Sequence, residues 1–366
     1  MDKSSWSIIK WLPNGVLSEI VRFSGPRELA ILLRVAKLFN EIGLPLLYRN
    51  VHLNISEGNS TSAVSFKASI ERDPARARMI KSIRLQALDL ADTQTKALSF
   101  LMDDIKIITK CITPVILQLV NVEVFRMTCE FHETTFLSLL DVASFPKMHT
   151  LTLAFSNLIS PRTISTFIDK HPTLRNVSLQ CRSFSGNDLS VALPVFRHIE
   201  LLEHISAPFE YFIAAMPSAR NLTSASIDFS LYGVAEIERT FAALADSAVK
   251  DSFKTLVCTT QCSYEPIMDC ISTLIPKIEN LTIRSGPLPR FVGTRLLSVG
   301  QELIGTCYQA SFNGLAKLKH LKRFTHLTID KEDDALRQAI DRVDDQLFHG
   351  LPSTLSLLKL CTYLKF

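Results

Sequence analysis

Four segments of the 366-residue chain repeat one phrase: PKMHTLTL at Pro146–Leu153, PTLRNVSL at Pro172–Leu179, PSARNLTS at Pro217–Ser224 and PKIENLTI at Pro276–Ile283. Each opens on proline, and apolar residues follow at fixed places, as in Met148, Leu151 and Leu153. The residues between are mostly polar. Alternation of this kind predicts a half-buried strand. A proline just ahead of it stops any preceding helix.

The pattern φ-x-x-φ-x-φ recurs beyond these four segments. Further copies are Ile80/Ile83/Leu85, Val122/Phe125/Met127, Phe196/Ile199/Leu201, Phe253/Leu256/Cys258, Phe324/Leu327/Ile329 and Leu355/Leu358/Leu360. For the copy near Ile199, Leu202/Ile205/Ala207 fits the same template. The middle apolar residues stand 22 to 46 positions apart, with five of the nine gaps between 22 and 26. Helical patterns fill the gaps, for example Glu133–Ala143, Pro161–His171, Val234–Val249, Leu296–Leu318 and Ala335–Phe348. Repeats of 20–29 residues with this phrase indicate a leucine-rich-repeat-like solenoid. The fold class is therefore α/β, with parallel inner strands and outer helices over residues 80–366. The asparagine expected after the last apolar position is instead Ser156, Arg182 or Gly286, so the repeats should be irregular.

Strand side chains alternate, so residues between the apolar positions should line a concave face. One such column begins with Arg84 and Arg126, continues mostly as small hydroxyls and ends on Lys359. Another contains Asn176, His198, Asn221, Asn280 and His326. Arg84, Arg126 and these five are the candidate substrate-binding residues. Neutral, hydrogen-bonding columns suit a protein or peptide, and plain solvation of the sheet is the simpler alternative.

Ahead of the repeats, Leu12–Tyr48 holds 20 hydrophobic residues in 37, against 47% for the chain. Val16, Leu17, Ile20, Val21 and Phe23 recur at helical spacing after Pro13, and Ser24-Gly25 interrupts them. Leu29, Leu32, Leu33, Ala36 and Phe39 form one stripe of a second helix, and Ile31, Val35, Leu38 and Ile42 another, with Gly43 and Pro45 expected to end it. So short a unit cannot bury two stripes internally. The stretch resembles an F-box in Leu12-Pro13, Val16-Leu17-x-x-Ile20, Pro26-Arg27-Glu28-Leu29, Arg34-Val35-Ala36-Lys37-x-Phe39-Asn40 and Leu44–Val51. Gly15 and Gly25 depart from the family pattern. The resemblance, to fungal members with degenerate repeats above all, implies a helical F-box over residues 1–50 and a connector over 51–79. It also implies docking on a Skp1-like adaptor, and through it on cullin and RING subunits, while the repeats hold an unknown protein substrate. Leu12, Pro13, Val16, Ile20, Leu29, Leu33, Val35 and Phe39 match the family's apolar positions and are the candidate adaptor-binding residues. The alternative is a ligase-independent scaffold whose helical segment only caps the solenoid.

The 21% charged and 47% hydrophobic content is that of a globular chain. A net charge of +4 without a concentrated basic face gives no reason to expect nucleic acid. The cluster Arg72, Arg76, Arg78, Lys81 and Arg84 reads as a solvated connector, with a site for phosphate or an acidic partner as the lesser alternative. No apolar run is long enough to span a membrane, and no signal peptide opens the chain. Scattered cysteines without C-x-x-C suit a reducing cytoplasmic or nuclear setting. No nucleotide-binding or nucleophile-elbow motif occurs, so neither catalytic residues nor a cofactor is expected. A zinc site from Cys258, Cys262, Cys270 and His204 lacks paired spacing, so no metal is expected either. The acidic run Asp330–Asp345 reads as the wet side of a helix, or as a rim for a basic partner.

Overall fold

The N-terminal segment folds as three helices because its apolar residues return every third or fourth position: α1 (Asn14–Phe23), α2 (Pro26–Val35) and α3 (Lys37–Arg49). The computed structural model describes residues 13–35, 37–55, 60–87, 110–129, 134–155, 161–181, 196–229, 233–260, 265–285, 315, 317–328 and 357–362. Leu17, Val21, Leu29 and Phe39 form the helical core, with Leu32, Leu33, Leu38, Ile42, Leu46 and Leu47 packed on it. Gly43 and Pro45 do not end the last helix, which runs through both to Arg49. A Cβ at Gly43 would lie 2.8 Å from both Leu29 Cδ1 and Leu33 Cδ2, and 3.3 Å from Val21 Cγ1. Glycine there sets how closely the helices approach, and that packing outweighs its poor helix propensity. Past Pro45, Tyr48 is fastened by the next segment. Arg76 Nη1 donates to Tyr48 Oη at 3.0 Å and to Ser69 Oγ at 2.7 Å. The same guanidinium lies over the Tyr48 ring and pairs with Asp73 at 3.1 Å.

Two units make up the chain, Met1–Thr152 and Leu153–Phe366. In the first, β1 (Asn50–Ile55) follows α3 directly, then α4 (Ser60–Arg72), a 3-10 turn (Pro74–Met79) and β2 (Ser82–Ala87). Residues 110–116 are helical (α5), and β3 (Val124–Cys129), α6 (Thr134–Val142) and the start of β4 (Thr150–Phe155) complete it. β1 pairs in parallel with β2, and β2 with β3. The sheet thus begins at Asn50, the last residue of the expected helical domain, and β1 runs on into the stretch expected to be a connector.

The second unit continues with α7 (Pro161–Asp169), β5 (Asn176–Cys181), β6 (His204–Pro208) and α8 (Phe209–Ala215). Then come β7 (Ser224–Phe229), α9 (Val234–Ala245), β8 (Thr255–Thr260), α10 (Glu265–Leu274), β9 (Asn280–Ser285), β10 (Arg323–Thr328) and β11 (Leu357–Thr362). From β5 to β11 each strand pairs in parallel with the next. The expected helices over 296–318 and 335–348, and the acidic run, fall almost wholly outside the described residues.

Along β3, β4, β7 and β8 buried positions alternate with exposed or half-buried ones, as in Leu151, Leu153 and Phe155 on β4. Phe125 reaches Phe145 at 5.1 Å between ring centroids, and Phe229 reaches Phe241 of α9 at 6.1 Å. The prolines at 146, 172, 217 and 276 sit in the turns ahead of strands. An extra apolar residue precedes the phrase by three places, and its carbonyl accepts the N–H of the first apolar position. Met148 N bonds Phe145 O at 2.9 Å, Leu202 N bonds Ile199 O at 3.0 Å, and Leu321 N bonds Leu318 O at 3.0 Å.

That extra position shifts three expected copies. The strand uses Ile205 and Ala207 rather than Ile199 and Leu201, because Phe196, Ile199 and Leu202 belong to the turn before it. Likewise Ala225 and Ile227 replace Leu222 and Ser224, and Phe324 pairs with Leu281 in the place expected for Leu327. Apolar residues three apart let the phrase fit several frames, and hydrogen bonding selects one.

The frame is fixed by the residue just before each strand, whose carbonyl receives two N–H groups of the next repeat. Lys81 O accepts from Glu123 N and Val124 N at 2.8 and 3.0 Å, and Lys254 O from Glu279 N and Asn280 N, both at 2.9 Å. Side chains at the same place alternate in charge. Lys81 Nζ meets Glu123 at 2.6 Å and Arg175 meets Glu203 at 2.9 Å, while Glu279 lies between Lys254 at 3.4 Å and Lys322 at 2.7 Å. The Lys81 hydrogen bond holds the Glu123 carboxyl below its ordinary range, and the Lys322 hydrogen bond does the same for Glu279.

Two outcomes follow. Gly43→Ala should lower the unfolding temperature, because its methyl enters Leu29 and Leu33, a cost of about 1–3 kcal/mol. Gly15→Ala, with nothing within 4 Å of its new Cβ, should be neutral or gain up to about 1 kcal/mol; paired thermal melts check both. Depressed carboxyls also make stability fully present above the unfolded pKa of about 4.3 and lost as pH falls through the lower folded value. In Glu279→Gln the acid limb of a melting-temperature profile against pH should be shallower, and added salt should shrink the difference.

Candidate functional site

The helical unit offers a surface that its own core does not use. On α1, Leu17 and Val21 are buried, whereas Val16 is 44%, Ile20 41% and Phe23 82% exposed. Positions 16, 20 and 23 fall on one stripe at 3.6 residues per turn, about 100° around from the buried pair. Pro13 opens the helix, its carbonyl accepting from Val16 N at 2.9 Å. On α2, Ile31 is also exposed, at 64%.

The expected adaptor residues thus divide by role. Pro13, Val16 and Ile20 are at the surface, Leu33 and Val35 are half-buried, and Leu29 and Phe39 are core. Leu12 lies outside the described residues. Phe23 and Ile31 were missed as surface residues. Their spacing from Val16, Ile20 and Leu32 held the signal, but a periodicity of both stripes does not say which one faces water. Gly25 lies between the two helices rather than inside one, with its carbonyl accepting from Leu29 N at 2.8 Å, so it carries no helix-interior penalty.

A second surface is the open face of the sheet. Arg84 of β2 and Arg126 of β3 are exposed and in register with each other, and His52 of β1 is in register with Arg84. In the second unit the corresponding places are Ser178, Ser206, Ser226, Val257, Thr282, Thr325 and Lys359. The neighbouring column runs Asn176, His204, Ser224, Thr255 and Asn280. Its side chains bond along the row: His204 Nδ1 lies 2.8 Å from Ser224 Oγ, and Asn280 Nδ2 donates to Thr255 Oγ1 at 3.2 Å. Burial holds the His204 imidazole below its ordinary pKa.

Asn176 and Asn280 therefore stand where expected, as do Arg84 and Arg126. His198 and Asn221 do not. Both are in turns, where Asn221 Nδ2 donates to Glu200 O at 2.8 Å. A frame shift, of six residues for His198 and three for Asn221, placed them on strands, and His204 takes the position assigned to His198. His326 is on β10 but in register with Ile283 and Leu360, in the apolar column.

Cys258 sits in the buried column between Ile227 and Ile283, and burial drives its thiol pKa far up. His204, on the open face, cannot share a metal with it. Among the described residues no cluster of three His, Cys, Asp or Glu side chains is placed to hold a metal, and no helix is long and apolar enough to cross a membrane.

No family model and no curated protein matches the chain. Among solved structures, a protein from Bacteroides fragilis, determined by a structural genomics consortium, is similar over 84% of each chain, at 11% identity and a TM-score of 0.34.

Proposed function

We propose that this chain is a leucine-rich-repeat-like substrate receptor of a Skp1–cullin–F-box ubiquitin ligase. The single observation that carries the reading is the apolar stripe Val16, Ile20 and Phe23, exposed beside a helical core that is already complete without it. The F-box resemblance of Leu12–Val51 says what would cover that stripe: a Skp1-like adaptor. The open sheet face, polar and built on parallel strands, then holds the protein substrate. The receptor itself does no covalent chemistry. It raises the effective concentration of substrate beside the ligase's conjugating enzyme.

One observation favours a second reading, the ligase-independent scaffold. α3 passes directly into β1, and the Tyr48–Arg76 contacts tie the helices to the first repeat, as a cap would be tied.

Co-purification of the full chain with a Skp1 adaptor separates the two. Ile20→Asp and Phe23→Asp together should lower adaptor recovery about tenfold or more, with the melting temperature unchanged because neither residue is in the core. Adaptor binding absent from the wild-type chain, or unaltered by the double substitution, would leave the scaffold reading in its place.

A further inference from the structure

From β5 to β9 the two neighbouring open-face columns, the one that begins at Asn176 and the one that begins at Ser178, hold no charged side chain, and His204 is their one titratable residue. Its imidazole is half-buried. Asn176 on β5 and Ser224 on β7 oppose it in register, and its Nδ1 lies 2.8 Å from Ser224 Oγ. Ser178, Ser206 and Ser226 stand two residues further along the same three strands. Among the described residues the charged side chains nearest in register are Arg175 and Glu203, one place before the row, which pair with each other at 2.9 Å. Lys254, just before β8, pairs with Glu279 at 3.4 Å. Asp228 is four residues beyond Ser224, about 13 Å along β7. The one carboxylate close by thus already answers Arg175. Burial acts in the same direction and keeps the imidazole neutral at pH 7.

We infer that the open face of the second unit binds an uncharged, extended segment of a partner protein, and that protonation of His204 releases it. This deepens the substrate-receptor reading and rests on it in taking the open face as the partner's place. Charge complementarity sets the occupant. A carboxylate or phosphate laid on these columns gives up water and meets no cation in them, and a lysine or arginine meets no anion. Backbone amides and hydroxyl or carboxamide side chains find a hydrogen-bonding partner on each of the five strands, at Asn176, His204, Ser224, Thr255 and Asn280. Such a segment covers the imidazole and strips more water from it, which disfavours the charged form. Proton and segment therefore compete, and by reciprocity each weakens the other equally. The sign follows. Affinity is full where His204 is neutral, and it falls as the pH drops through the pKa of the free protein, by up to about tenfold per pH unit.

The test uses the full chain without adaptor, so that its failure is distinct from failure of adaptor binding. The probes are two degenerate nine-residue peptide libraries with blocked ends, built from serine, threonine, asparagine, glutamine, glycine, alanine and leucine. One carries no charge, and the other has a fixed central glutamate. At pH 7.5 the chain should retain the uncharged library about threefold or more over the glutamate library. Lowering the pH to 5 should cut retention of the uncharged library about threefold or more. His204→Gln, which keeps a hydrogen-bonding side chain but takes up no proton in this range, should retain that library equally at both pH values. In the wild-type chain, the His204 imidazole titrated by NMR should show a lower pKa with the retained peptides present than without them. That measurement decides the matter if the variant does not fold. No retention at pH 7.5, retention unchanged by pH, an equal acid loss in His204→Gln, stronger retention of the glutamate library, or a His204 pKa unmoved or raised by the peptides overturns the proposal.

Discussion

Everything else in the sheet depends on a main-chain carbonyl that accepts two N–H groups from the following repeat. A hairpin carries its register in its turn, but parallel strands are joined by long crossovers that carry none. A one-residue slip would turn every buried side chain outward. Here the residue before each strand acts as a fixed starting point, as Lys81, Glu203, Thr223, Lys254 and Glu279 do in turn. Because register is set at the strand start, the crossover is free to vary in length. Gaps as long as 43 residues, from Leu281 to Phe324, therefore coexist with strands six residues long.

The charges at the same place add a second, weaker device. Exposed pairs such as Arg175–Glu203 contribute little individually, and their sign alternates over parts of the row, whereas Arg49 and Lys81 at its start are both cations. Thr223 interrupts the alternation and still donates its N–H to Glu203 O. The carbonyl is thus the essential element and the charge an accessory.

These facts explain what could be read in advance. The alternation of Leu151 and Leu153, or of Leu281 and Ile283, has one structural solution, so the strand class and its parallel order were legible. The frame was not legible where apolar residues continue every third place, as in Phe196, Ile199, Leu202 and Ile205. Each can start a strand, and only a hydrogen bond to the previous repeat chooses. A charge at the starting place does not decide it either, since Arg197 and Arg220 stand at that place in the unused frames. Pro45 and Gly43 misled for a different reason: local propensity ended α3, and the helix–helix contact at Gly43 continued it. On the functional side, Arg84 and Arg126 were legible because their strand was in frame. His198 was not, because its strand was out of frame by six.

The same constraint shapes where a partner can bind. Register and core are handled by backbone groups and by one face, so the open face is left without a structural task. Side chains there can change without loss of the fold; among the described residues the facing pair Arg84 and Arg126 has no ion pair, which sheet stability alone disfavours. The stripe on α1 is informative by parallel logic. Leu17 and Val21 already complete the helical core, so burial within the unit gives no reason for Val16, Ile20 and Phe23 to be apolar. One surface is apolar and helical and the other polar and cationic, and neither is required by folding.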